Sequence, residues 1–317
     1  MSETLLIDRD VLVTAITTFL SGQDRRTLDV IRRALERAID EAGPDSLLHL
    51  SERMAHTGAD WTYYPSDPLA RRIHHLLADR ILDPGSALIG AEHLAAIEGK
   101  PVVVLANHLS YSDANLLEAI LHRASGVALS DRLVAIAGPK VYSSVKRRFS
   151  ALCFGTIKTP QSSALSSETA VMNPREVARA ARRAIDVAHD RLAAGDALLV
   201  FAEGTRSRSN GLQPLLAGVT RYLDFPQVSI LPVGIAGTEA LFPIGDDTVH
   251  AVRIVTRIGR PFSAGALRAR AGDDRRMMMD VAGLSIAELL PPEYRGVYTD
   301  SAPDLAGARR AKQTLFD

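Results

Sequence analysis

The sequence predicts an α/β protein: a mixed, mostly parallel sheet flanked by helices, with a small helical region in front of it. Three observations lead there. Residues 1–82 carry apolar side chains at helical spacing, short apolar runs alternate with helical stretches from Gly85 onward, and Gly, Pro and small polar residues fall mainly between these segments. The chain accordingly divides into an N-terminal helical region, residues 1–82, and an α/β domain, residues 83–317.

In the first region Leu28, Ile31, Leu35, Ala38 and Ile39 recur every three or four residues, while Arg32, Arg33, Glu36 and Arg37 fill the opposite face. This is an amphipathic helix, and Gly43-Pro44 ends it. Val11 to Phe19 and Leu47 to Met54 read as helices on either side. After a loop rich in Pro, Ser, Asp and aromatic residues, Leu69, Ile73, Leu76 and Leu77 mark another. His74 and His75 lie in that helix beside Arg71 and Arg72. Adjacent helical residues sit ~100° apart, so the two imidazoles are expected to point apart and to be poor co-ligands for one metal.

The predicted strands are Ala87–Ile89, Val102–Ala106, Leu133–Ala137, Gly155–Lys158, Ala197–Ala202, Ile230–Gly234 and Val252–Ile258. Each is a short apolar run bounded by turn residues. A long helix before Ala197 has the clearest ends in the chain: Asn173 to cap it, Pro174 in its first turn and Gly195 just past its last.

Chemistry enters where two of these strands end. Val102-Val103-Val104-Leu105-Ala106 runs directly into Asn107-His108-Leu109-Ser110-Tyr111-Ser112-Asp113. Five residues is about 140° of rotation on a helix and opposite faces on a strand, so His108 and Asp113 meet only if the residues between them turn. Ser110, Tyr111 and Ser112 suit a turn, and Asn115–Arg123 then reads as a helix burying Leu116, Leu117, Ile120 and Leu121. If the side chains meet, the carboxylate fixes one imidazole nitrogen as a donor and leaves the other as a base for a substrate hydroxyl. The alternative is a satisfied strand-end histidine beside an acid at a helix N-terminus.

The second strand end is laid out the same way: Ala197-Leu198-Leu199-Val200-Phe201-Ala202 delivers Glu203-Gly204-Thr205-Arg206-Ser207-Arg208. Gly204 permits an unusual φ, Thr205 offers a hydroxyl, and Arg206 and Arg208 supply fork-shaped donors suited to phosphate. Surface ion pairs are the competing use for those arginines.

Composition narrows the field. With 317 residues, 46% hydrophobic and 23% charged, the chain can bury a substantial core. Lys+Arg and Asp+Glu number 37 each, so no basic excess points to nucleic acid. The lone cysteine, Cys153 between Leu152 and Phe154, cannot form an internal disulfide; it reads as a buried thiol in a reducing, cytoplasmic setting. Acidic and basic residues around Leu5–Ile7 break any signal peptide, and no apolar run approaches the ~20 residues that cross a bilayer. Lys146-Arg147-Arg148, followed by Phe149, is a basic cluster suited either to solvent or to anionic headgroups or an acidic carrier protein at a membrane periphery.

The two strand-end motifs resemble those of the glycerolipid acyltransferases, the glycerol-3-phosphate and 1-acylglycerol-3-phosphate acyltransferase family. His108 and Asp113 match its His-four-residues-Asp motif. Phe201–Ser207 is similar to its Phe-Pro-Glu-Gly-Thr-Arg-Ser block, with Ala202 where proline is usual, and Ile230-Leu231-Pro232-Val233-Gly234 resembles a later strand motif. The likeness covers roughly residues 85–262. A remaining block is only loosely represented by Phe154–Thr159, where the usual Asp-Arg pair is absent and Lys158 stands close to the basic acceptor-binding position. The helical region without a membrane span resembles the soluble plastid-type members.

The resemblance implies an O-acyltransferase of phospholipid biosynthesis. It would move a fatty acyl group from acyl-CoA or acyl carrier protein to glycerol 3-phosphate or lysophosphatidate. His108 would be the base and Asp113 its orienting partner. Arg206 and Arg208, with Lys158, would clamp the acceptor phosphate; Glu203, Gly204 and Thr205 would complete the substrate-binding residues, Glu203 and Gly204 shaping the loop. No metal or bound organic cofactor is implied, nor a nucleic-acid partner; the location would be cytoplasmic, peripheral on the membrane. A serine hydrolase or thioesterase would need a nucleophile elbow, and Gly283-Leu284-Ser285-Ile286-Ala287 misses its final glycine. A non-catalytic phosphate- or lipid-binding protein would keep the arginines without needing His108 to face Asp113.

Overall fold

The computed structural model describes residues 7–20, 24–160, 172–242, 249–299 and 301–316. Helices α1 (Arg9–Phe19), α2 (Arg25–Ala42) and α3 (Pro44–His56) come first, then the two-residue strand β1 (Tyr63–Tyr64) and helix α4 (Pro68–Ile81). There follow β2 (Ala87–Ile89), β3 (Val102–Ala106), α5 (Asp113–Arg123), the single turn α6 (Val127–Ser130), β4 (Leu133–Ala137), α7 (Val145–Ala151) and β5 (Gly155–Lys158). The chain continues with α8 (Pro174–Ala193), β6 (Ala197–Phe201), β7 (Ser229–Ala236), β8 (Val255–Ile258), β9 (Phe262–Ser263), α9 (Ala264–Ala271), α10 (Arg275–Ala287) and α11 (Ala306–Gln313).

The helix ends follow from local chemistry. Asp24 caps α2 by accepting from the Thr27 N–H at 3.0 Å, and Asn173 with Glu176 forms a reciprocal capping box on α8, Pro174 filling its first turn. Past α8, Gly195 takes φ +93°, the left-handed turn that lets the chain double back into β6.

The sheet runs β1-β5-β4-β6-β3-β7-β8-β2, with β9 on the other end of β7. The central ladder, β5-β4-β6-β3-β7, is parallel throughout. Antiparallel pairs occur where β1 meets β5 and where β8 and β9 meet β7. The mixed, mostly parallel sheet expected from the sequence is thus present. Its side chains alternate between two cores. Val102, Val104, Leu199 and Val233 point toward a layer that includes Ile31, Leu35, Ile73 and Leu117. Val103, Leu105, Leu198 and Ile230 point toward Ala184, Met279 and Ala308. Helices α1, α2, α4 and α5 therefore cover one face, and α8, α10 and α11 the other. All five residues of β3 are buried, and each buried valine contributes roughly 1.5–3 kcal/mol relative to an exposed one.

The structure departs from the sequence expectation at element ends. Tyr63 and Tyr64, read as loop, pair with Ile157 and Thr156 and extend the sheet by an edge strand. The strand expected over Ala197–Ala202 stops at Phe201, because the Gly204 N–H turns back to the Phe201 carbonyl. Of Val252–Ile258 only Val255–Ile258 joins the ladder, Val252 making a single bridge to Leu82. Cys153 is buried, as expected, and burial pushes its thiol well above the ordinary range.

Candidate active site

Because β6, β3 and β7 are parallel neighbours, their C-terminal ends emerge along one edge. Ala106 is level with Phe201 on one side and with Val233 on the other. The residues after each strand are therefore delivered to the same place. Asn107, the first residue past β3, is 1% exposed and spans to β7: its amide donates to the Ile235 carbonyl and accepts from the Ile235 N–H, both at 2.8 Å. That clamp sets the direction in which His108 leaves the sheet.

His108 Nδ1 lies 2.7 Å from Asp113 Oδ2. The turn that brings them together is held by the carboxylate itself, since Oδ2 also accepts from the Leu109 N–H at 2.6 Å and the Ser110 N–H at 2.9 Å. Asp113 is wholly buried and opens α5, so both sequence readings of it hold at once: helix N-terminal acid and partner of His108. Its other oxygen, Oδ1, accepts from Thr238 Oγ1 at 2.5 Å. A carboxylate offers only acceptors, so Nδ1 carries the proton and Nε2 keeps its lone pair. The ring stacks on Phe201, centroids 4.4 Å apart at 18°.

The second motif wraps round the first. Glu203 Oε1 accepts from the His108 backbone N–H at 2.7 Å, and Oε2 from the Gln213 N–H at 2.8 Å. The Ser207 N–H returns to the His108 carbonyl at 2.8 Å. Burial raises the Glu203 pKa to about 7, against the lowering effect of those two backbone donors. Gly204 has φ +74°, a conformation open to glycine and strained for other residues, and it swings Thr205 and Arg206 toward solvent.

His108, Gly204, Thr205, Arg206 and Arg208 line a cavity of about 440 Å³. Asp113 and Glu203 stand behind its wall. The floor is apolar: Ala135, Ile136, Phe154, Ala181, Ile185, Val200, Val219 and Tyr222 contribute to it. Lys158 is elsewhere. Its ammonium donates to the Gly58 carbonyl and sits 4.5 Å from the Trp61 ring centre, and it is not among the lining residues.

Several participants were not anticipated from the sequence. Arg206 and Lys140, which line the cavity with Tyr111, lie 4.7 and 5.3 Å from the centre of the Tyr111 ring, and Arg147, outside the lining, lies 5.6 Å from it. Among the described residues none of these three cations pairs with a carboxylate. Lys140 follows Gly138-Pro139 at the end of β4, a third strand end built like the other two, and that pattern was the available signal. Thr238 follows Gly237, whose φ of +95° and 2.4 Å approach of a Cβ to the Arg253 carbonyl tolerate only glycine. The basic run also resolves into separate contacts, Lys146 lying 3.6 Å from the Phe19 ring centre while Arg147 turns to Tyr111.

Comparison with known proteins supplies a context for this geometry. Residues 87–236, which hold both motifs, match the family model described as Acyltransferase. A 1-acyl-sn-glycerol-3-phosphate acyltransferase of Chlamydomonas reinhardtii is 28% identical over 218 residues, covering 68% of this chain and 56% of the relative, so the chain spans little more than half that relative's length. The fold is similar to the crystal structure of the 1-acyl-sn-glycerophosphate acyltransferase PlsC from Thermotoga maritima, with a TM-score of 0.51 and 17% identity over 89% of this chain and 96% of that one. The stretch that carries both strand-end motifs, residues 87–236, is thus similar to the acyltransferase family, and the motifs within it resemble those of the glycerolipid acyltransferases.

Proposed function

We propose that the protein transfers a fatty acyl group from a thioester, acyl-CoA or acyl carrier protein, to a hydroxyl of a phosphorylated glycerol. 1-Acylglycerol 3-phosphate is the first acceptor to test, because the two named relatives carry that activity in their names; glycerol 3-phosphate is the second. The observation that carries this reading is that His108, oriented by Asp113, opens onto the same cavity as the guanidinium groups of Arg206 and Arg208.

His108 Nε2 takes the proton of the acceptor hydroxyl as its oxygen attacks the thioester carbonyl. Asp113 stabilises the imidazolium so formed. Collapse of the tetrahedral intermediate breaks the C–S bond, and the imidazolium returns its proton to the departing thiolate. No acyl-enzyme is required, and Cys153, buried with a raised pKa, is unsuited to form one. Arg206 and Arg208 hold the phosphate, with Lys140 across the mouth in the role that Lys158 was expected to fill. The acyl chain lies along Ile136, Val200 and Val219. Among the described residues no helix is long and apolar enough to cross a membrane, so acceptor lipid would be met at a bilayer surface.

The test is product formation from labelled acyl-CoA or acyl carrier protein with each acceptor. Acceptor-dependent product is expected, and His108→Ala should lower kcat by about 10²- to 10⁴-fold with the fold retained. A folded His108→Ala protein with near wild-type turnover overturns the mechanism. Donor hydrolysis without any acceptor dependence would point to a thioesterase instead.

A further inference from the structure

On the face of the sheet opposite α8, helices α4 and α5 bring together a group that the acyl-transfer site does not use. His74 and His75 were expected to diverge, yet both Nε2 atoms reach Glu118, 44 and 43 residues away: His74 to Oε2 at 2.9 Å, His75 to Oε1 at 3.1 Å and Oε2 at 3.2 Å. The ~100° between their Cα–Cβ bonds is overcome because the carboxylate sits between the two rings. The three ligand atoms lie within 4.8 Å of one another.

The surroundings favour a cation at this point. Glu118 Oε1 is held by Ser130 Oγ at 2.7 Å and by Arg71 at 2.9 Å. Oε2 accepts from the Nε2 atoms of both imidazoles, and the tautomer with the proton on Nδ1 instead would turn both Nε2 lone pairs toward the same point. Arg71 does not fully neutralise the cluster, because it also pairs with Asp131 at 2.8 Å. One guanidinium thus serves two carboxylates, of which Glu118 is wholly buried. A buried carboxylate so placed is stabilised by a further positive charge. Two imidazoles with one carboxylate are a ligand set for a borderline divalent ion, and bonds of ~2.0–2.2 Å put neighbouring ligands about 3 Å apart, the spacing of each Nε2 from the Glu118 carboxylate here. Ser130 and Arg71 stand where a metal-bound carboxylate needs its outer oxygen fixed. The His75 side chain is 20% exposed, which gives an ion a way in, and its ring is stacked on His122 at 3.7 Å.

We propose that His74, His75 and Glu118 form a binding site for a divalent transition-metal ion of the zinc type, which ties α4 to α5. Its role is structural. Helix α5 begins at Asp113, so an ion bound five residues further along fixes the base of the helix that orients His108. This site is independent of the acyl-transfer reading, and its test uses no activity measurement.

The experiment is titration of the metal-stripped 317-residue chain with Co²⁺, followed by its visible ligand-field bands, and with Zn²⁺, followed by thermal unfolding. One equivalent of Co²⁺ with tetrahedral-type bands and a Zn²⁺-dependent rise in Tm are expected. His75→Ala, at the partly exposed position, and Glu118→Gln should abolish both signals. Ser130→Ala should weaken affinity by about 10- to 100-fold, and His122→Ala should retain the site. Should Glu118→Gln fail to fold, the His75→Ala titration decides. The absence of Co²⁺ bands from the wild-type protein, equal binding by His75→Ala, or loss of binding in His122→Ala alone overturns the proposal.

Discussion

Thr238 Oγ1 donates to Asp113 Oδ1 at 2.5 Å, so the carboxylate that orients His108 is itself oriented from the end of the neighbouring strand β7. Both residues are wholly buried. Removing the hydroxyl leaves a buried carboxylate oxygen without its donor, a loss of roughly 1.5–3 kcal/mol for a bond to a charged group. Thr238→Val is therefore expected to lower kcat by about one to two decades while the acceptor KM changes little, and Thr238→Ser should recover most of it. Steady-state kinetics of both variants across the pH range check this. Equal loss in the two would mean that the methyl group, not the hydroxyl, matters.

Arg206 makes the sharpest claim on the acceptor. A guanidinium gives phosphate two parallel charge-assisted hydrogen bonds that an ammonium cannot reproduce. Arg206→Ala should reduce kcat/KM for the phosphorylated acceptor by about one to two decades, and Arg206→Lys should recover only part. Plain glycerol, a poor acceptor, should be hardly affected, as should the donor KM. Equal harm to glycerol and glycerol 3-phosphate would make Arg206 structural.

Glu203 makes stability depend on pH with a defined sign. Its native pKa is about 7, raised by burial from the ordinary 4.5. Between those values the folded state holds a proton that the unfolded state has released, so stability falls as pH rises through this window, at ~1.4 kcal/mol per pH unit and by up to about 3 kcal/mol in all. Glu118 works in the opposite sense and below that window. Burial would raise it, but the hydrogen bonds from His74 and His75 outweigh burial and hold it beneath the ordinary range, so its contribution is lost as pH falls below about 4.5. Denaturant unfolding of wild type and Glu203→Gln from pH 5 to 8 should give a difference that shrinks as pH rises to about 7 and levels off above it. A flat difference would contradict the raised pKa.

The cavity floor should set chain length. Ala181, half-buried on α8, lines it, and Ala181→Phe adds a ring to that space. The variant is expected to lose activity with long-chain donors and to keep it with short ones, as a donor chain-length series with product analysis would reveal. A uniform loss across the series would place the acyl chain elsewhere.

Where the fold was legible, the signal was local. The valine run of β3 and the leucine-valine run of β6 announce buried strands, and the polar residues that follow announce what those strands deliver. His108 and Asp113 lie five residues apart, so a turn was enough to join them. Thr238 is 125 residues from Asp113. Its part depends on Ala106 standing level with Val233, a register that no spacing encodes. The same holds for His74, His75 and Glu118, where helical geometry alone predicted divergence and a distant carboxylate supplied the meeting point. Lys158 shows the converse. Strand-end position was read correctly, but the partners that turn it toward Gly58 and Trp61 belong to a loop a hundred residues earlier.

The level alignment of Phe201, Ala106 and Val233 makes the middle of the sheet a ruler. One residue inserted into β6 would push Glu203 and Arg206 about 3.3 Å further out and turn every later side chain to the opposite face. Two inserted residues would restore the face and double the overshoot. The spacing of His108, Glu203 and Arg206 can therefore drift neither by insertion nor by deletion within β3, β6 or β7. Length changes are confined to the connections that enter these strands from below, and the cavity at their ends is altered by changing side chains rather than by lengthening the strands.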